Sequence, residues 1–132
     1  EIASFHDDRG GTLRGGNTIR VFTADGISVA HLGDLGHPLS AEQLAAIGPV
    51  DAALVPVGGV YTLDAAGAKS VCDALKPRCV LPMHYRHAPY GLAELGGVEP
   101  FLALWPQAEV HRLSGPAIEL TKAVSGVLVP HF

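Results

Sequence analysis

The sequence predicts an α/β fold: one mixed sheet with helices on one face. Three observations carry this. Two strand-like stretches near the start are joined by Asp25-Gly26, a two-residue hairpin signal. Residues 52–57 and 79–83 are continuous apolar runs, as in strands buried on both faces. Between those runs Ala65, Ala68, Val71, Cys72 and Leu75 recur at i, i+3, i+4 spacing, which marks one apolar helical face. The order is ββ followed by α-β-α-β, so a single domain over 1–132 is expected.

Each element has its own signal. Residues 2–5 form a short apolar strand ending at His6, followed by a polar loop over 7–17 with four glycines. Residues 18–23 alternate β-branched and polar side chains and pair through the hairpin with 27–32. Ser40 is an N-cap, with Glu42 and Gln43 in the first turn, and the helix it opens ends at Gly48 before Pro49. A second helix starts at Thr62 or Leu63 and stops at Lys76-Pro77; Asp64 is a first-turn acid favoured by the helix dipole. A third helix is expected over 91–105. Closing strands are expected over 109–113, 117–121 and 126–132.

Composition narrows the function classes. Apolar residues make up 48% and charged residues 17%, enough to bury a core. Thirteen acidic against nine basic side chains give a net charge of −4, which disfavours a duplex nucleic-acid binder. No apolar run approaches the ~20 residues of a membrane helix. Two cysteines, Cys72 and Cys79, make no disulfide scaffold or zinc spacing; both read as buried thiols in a cytoplasmic protein.

Seven histidines stand out against so few cations. His6, Asp34 and His84 each follow a strand, where side chains in α/β sheets converge on a ligand-binding rim. Imidazole and carboxylate are ligands for borderline and hard cations. Gly33 and Gly36 allow a sharp turn around Asp34, and Gly58-Gly59 ends a neighbouring strand. Spacing alone leaves a metal site and a structural reading equally open.

The segments Ser4-Phe5-His6-Asp7-Asp8, His31-Leu32-Gly33-Asp34-Leu35-Gly36-His37, Pro56-Val57-Gly58-Gly59 with Tyr61-Thr62-Leu63-Asp64, and Pro82-Met83-His84-Tyr85 occur in this order. Together they resemble the C-terminal half of a metallo-β-lactamase-fold hydrolase, an αββα sandwich. The branch resembled is that of metal-dependent hydrolases similar to ascorbate-6-phosphate lactonase. The resemblance implies two divalent metals, zinc first and manganese, iron or nickel as alternatives. His6 matches a ligand of the first metal, Asp34 the carboxylate bridging both, and His84 a ligand of the second. It implies hydrolysis of an ester, lactone or phosphoester by metal-activated water.

The family's His-x-His-x-Asp-His motif, which lies upstream of the His6 equivalent, is absent from this chain. The expectation is therefore that this chain alone is inactive and binds metal poorly. A missing N-terminal half, or a second copy in an oligomer, would complete the site and cover the apolar sheet face. The partner otherwise expected is a small-molecule substrate. The alternative is a metal-free binding or structural domain that keeps the fold without the chemistry.

Other positions carry weaker expectations. His37 either lines the pocket with a catalytic or substrate contact or is a loop histidine bonded to backbone. His31 is packed or hydrogen-bonded. Asp7 and Asp8 either orient the His6 ring or are solvated. Tyr85, Arg86 and His87 meet an anionic substrate or are simply exposed, and His111 and His131 lie outside every motif. A phosphate-binding role for the 7–16 loop ranks last, because a phosphate loop follows a strand and opens a helix.

Overall fold

In the computed structural model, which describes residues 1–131, a seven-stranded mixed sheet runs in the order β1-β2-β3-β4-β5-β7-β6. Its first three strands, β1 (Ile2–Phe5), β2 (Gly16–Ala24) and β3 (Ile27–His31), form an antiparallel meander. Asp25 and Gly26 both take positive φ, 50° and 72°, as the hairpin turn requires. From β3 onward pairing is parallel, through β4 (Ala52–Pro56), β5 (Cys79–Met83), β7 (Gly126–Val129) and β6 (Val110–Arg112). Two reversals return β1 to the direction of β3. The carboxyl ends of β1, β3, β4 and β5 therefore share one rim.

Helix α1 (Ala41–Ile47) opens on a full capping box: Ser40 Oγ accepts from the Gln43 N–H, and Gln43 Oε1 accepts from the Ser40 N–H. Helix α2 (Ala65–Leu75) buries Ala68, Val71, Cys72 and Leu75, the face expected from spacing. Its start is later than the sequence suggests. Asp64 is the N-cap, accepting from the Gly67 N–H at 2.8 Å, not a first-turn acid. These helices and a short turn, α3 (Glu99–Leu102), pack on one sheet face with Ala30, Ala53, Val55, Val80 and Val127.

The expected third helix over 91–105 shrinks to α3. Gly91 takes φ 88°, a conformation foreign to helices, and 85–97 instead folds back on itself. Arg86 N donates to Gly96 O, and Gly96 N to Gly58 O. Residues 117–121 form no strand. Ile118 and Leu120 do alternate inward, but they pack with Leu113 and Val124 over Ala52, Cys79 and Leu128 on the second sheet face, without pairing into the ladder. The last strand covers 126–129, and Phe132 lies outside the described residues.

The rest of that second face is open. Phe22 is 56% exposed, and Val29, Leu54 and Leu81 are half-buried. Both cysteines are buried, as expected. Burial, with Asp73 nearby, pushes the Cys72 thiol up to about 12, so it stays protonated. No helix among the described residues is long and apolar enough to cross a membrane.

Candidate metal-binding site

The rim is knitted by backbone bonds between loops that follow different strands. Gly36 N donates to Phe5 O, Leu63 N to Leu35 O, and Val57 N to Met83 O, each at 3.0 Å. Two glycines make the closest of these approaches possible. A Cβ on Gly36 would overlap the His6 carbonyl, and one on Gly58 would overlap the His84 carbonyl. What Gly58 admits is the chain at His84.

His6, Asp34 and His84 line one cavity of about 380 Å³, together with Tyr61, Thr62, Tyr85, Leu92 and Leu95. His84 Nδ1 stands 3.0 Å from Asp34 Oδ1, and both side chains are about half exposed. His84 takes φ 54°, a left-handed conformation costly for a residue with a Cβ. Such strain persists only where surrounding structure imposes it, and here the bond from Val57 N to Met83 O and the contact with Gly58 do so.

Asn17 holds the turn that carries Asp34. Its Oδ1 accepts from the Asp34 N–H at 3.0 Å, and its Nδ2 donates to Ser4 Oγ and Leu32 O, both at 2.8 Å. One amide thus ties β1, β2 and the loop after β3. Nothing local in the sequence marks Asn17; its partners lie 13 to 17 residues away. His31, behind this turn, accepts from the Gly33 N–H through Nδ1 at 3.1 Å. Burial, then the neighbouring His84 and Arg20, lower its pKa against the pull of Asp34, so it stays neutral.

His37 is not brought to the cavity. Its Nε2 accepts from the Phe5 N–H at 3.1 Å and its Nδ1 lies 2.7 Å from Pro38 O, so both ring nitrogens serve the backbone. It lines a separate depression with Phe5, Asp8 and Ser40. Asp7 neither orients His6 nor meets solvent. It is 2% exposed and accepts from four backbone N–H groups, those of Arg9, Gly11, Leu13 and Arg14. Burial alone would raise its pKa, but the four donors outweigh it and hold the carboxyl below the usual range. The same bonds rule out a phosphate loop, since its amides already cradle a carboxylate. Asp8 is exposed.

Thr62 is a further residue that spacing did not reveal. It lines the cavity, and its Oγ1 is buried with no hydrogen-bond partner among the described residues. Tyr61 donates its hydroxyl to Glu94 at 2.7 Å, and that bond, then the Glu94 charge, raises its pKa. Burial raises the pKa of Tyr85, whereas Arg86 points away to Ala93 O.

The donor chemistry suits a divalent cation: two imidazoles and a carboxylate face one space. Donors sharing a cation at ~2.0–2.2 Å each stand about 3 Å apart, as Asp34 and His84 do. Gathering stops at two. Among the described residues no group of three His, Cys, Asp or Glu is close enough to hold an ion.

Comparison with known proteins gives the family. A profile described as "Beta-lactamase superfamily domain" matches residues 1–84. The chain belongs to the metallo-beta-lactamase superfamily. Its superfamily relatives include a UPF0173 metal-dependent hydrolase of Carboxydothermus hydrogenoformans, 37% identical over 58% of this chain and 34% of that protein. Another, from Pyrococcus furiosus, is 34% identical over 67% of this chain and 40% of its own length. A crystal structure of a superfamily member from Thermotoga maritima superposes with a TM-score of 0.79 at 40% identity, covering 88% of this chain and 59% of that one. The chain thus spans about two fifths or less of these two curated relatives.

Proposed function

We propose that this chain carries part of the centre of a metal-dependent hydrolase, with Asp34 and His84 holding one divalent cation and His6 serving a second. The observation that supports it is the Asp34–His84 pair at 3.0 Å in a cavity that also receives His6. Bound there, such a cation supplies Lewis acidity to an ester, lactone or phosphoester and activates water. The chain's own residues position it. Asn17 fixes the backbone of Asp34, Gly58 and Met83 fix that of His84, and Gly36 lets His6 approach the Asp34 loop. Zinc is the first choice for this donor set.

The remaining ligands come from outside this chain, from the N-terminal half of an αββα sandwich or a second copy. The open sheet face around Phe22, Val29, Leu54 and Leu81 is where such a half would pack. By itself the chain is then inactive. The incomplete gathering of donors also favours a second reading, a domain that keeps the fold without metal chemistry. Zinc titration by calorimetry separates the two. Asp34→Ala and His84→Asn should each weaken zinc binding at least tenfold while far-UV circular dichroism is unchanged. Zinc binding that is indifferent to both substitutions removes the metal proposal.

A further inference from the structure

Among the described residues, the first strand of the sheet has a neighbouring strand on one side only. β1 pairs with β2, with Ile2 opposite Ile19 and Ser4 opposite Asn17. Just past the strand, His6 N bonds Gly15 O on that same side. Alternation along an antiparallel strand then turns the backbone groups of Ala3 and Phe5 outward. A row of this kind is a template for pairing with another chain.

Here the row is covered by two side chains and a turn. Gln43 Nε2, on α1, donates to Ala3 O at 2.9 Å. The Phe5 N–H donates to His37 Nε2 at 3.1 Å, and Gly36 N donates to Phe5 O at 3.0 Å. The His37 ring also lies against the Phe5 ring, with centroids 5.8 Å apart. Both covering side chains are themselves held. Gln43 Oε1 accepts from the Ser40 N–H, and His37 Nδ1 lies 2.7 Å from Pro38 O. The two side chains reach β1 across 40 and 32 residues of chain, so local structure alone does not produce the cover.

We infer that the β1 edge is a strand-addition surface for a second copy of this chain, held shut by His37, Gln43 and the turn at Gly36. A second copy fits because the row is self-complementary. Two β1 strands running antiparallel set Ala3 of one opposite Phe5 of the other, and each outward N–H then meets an outward C=O. The inference needs neither metal nor substrate, and it assigns His37 to the sheet edge rather than to the cavity.

Two substitutions open the edge with little local damage. Gln43→Glu removes the donor to Ala3 O, yet a glutamate there keeps the capping box. His37→Phe removes the acceptor of the Phe5 N–H and keeps a ring against Phe5. The 132-residue chain with both is compared with the unsubstituted chain by sedimentation velocity and by amide hydrogen exchange at low and high concentration. At low concentration the Phe5 amide should exchange about tenfold faster. Self-association should strengthen about tenfold, with protection of Ala3 and Phe5 returning as concentration rises. Association through the open face around Phe22 leaves those two amides unprotected, so the two surfaces are distinguished. Ala3→Pro, added to the pair, removes an outward N–H that an edge strand can lose, and should return association to that of the unsubstituted chain. If the double variant fails to fold, Gln43→Glu alone should still strengthen association about threefold. Unchanged association, association without protection of Ala3 and Phe5, or association indifferent to Ala3→Pro overturns the proposal.

Discussion

His84 joins two demands at one position: an imidazole facing Asp34 and a backbone in the left-handed region. Asparagine tolerates that region better than most residues, which is why His84→Asn tests the imidazole without unfolding the turn. Gly58 is the complementary residue. Gly58→Ala places a methyl against the His84 carbonyl, and overpacking of this kind costs about 1–3 kcal/mol. Urea unfolding should show a lower midpoint with unchanged slope. Asn17→Ala leaves the Asp34 N–H and the Leu32 carbonyl without their partner, a loss of roughly 1–3 kcal/mol. Thermal melts should report it. At this scale the sequence exposed His6, Asp34 and His84, because each follows a strand and belongs to a recognisable segment. Asn17 and Thr62 stayed hidden because their roles depend on neighbours distant in the chain.

Elements written in local chemistry were legible. Ser40 and Gln43 define the start of α1 within four residues, and Asp25-Gly26 defines its hairpin. Ser40→Ala should destabilise by about 1 kcal/mol through loss of the cap. Guanidinium unfolding checks this, and a value near zero would mean that packing alone fixes α1. The elements misread lie after Met83. A 91–105 helix failed because Gly91 takes a positive φ, which suits a folded-back loop and not a helix. Residues 117–121 kept the apolar alternation of a strand without its ladder, since their inward side chains are satisfied by packing on the sheet.

For the whole molecule, acid is the informative variable. Asp51, just before the central strand β4 at the rim opposite the site, accepts from Lys122 and the Ser28 N–H and pairs with Arg78, which lower its pKa against the rise from burial. Arg78 also donates to Thr121 O and Val124 O, tying down the segment over the second sheet face. Asp7 is lowered as well. Folded values below the unfolded carboxylate value of ~3.9 mean that this stabilisation is complete above that pH. It drains away as pH falls through the depressed folded values. Melting temperature should therefore hold from pH 7 to 5 and fall below pH 4, less steeply in Asp51→Asn. An equally steep acid decline in that variant would remove Asp51 from the account. Sedimentation velocity adds a second whole-molecule test. The open apolar face predicts self-association that weakens in Phe22→Lys, and a strict monomer at high concentration would count against a sheet face awaiting cover.

The sequence by itself determined the mixed α/β layering, the Asp25-Gly26 hairpin, the cap of α1, the apolar face of α2 and the strand-end placement of His6, Asp34 and His84, because periodicity, turn chemistry and caps act over a few residues. Only the tertiary structure decided that Asp34 and His84 stand 3.0 Å apart, that His37 serves the backbone, and that an apolar wall faces the pair. Those outcomes depend on which distant backbones can approach, and that is set where Gly36, Gly58 and Asn17 meet chains from other strands.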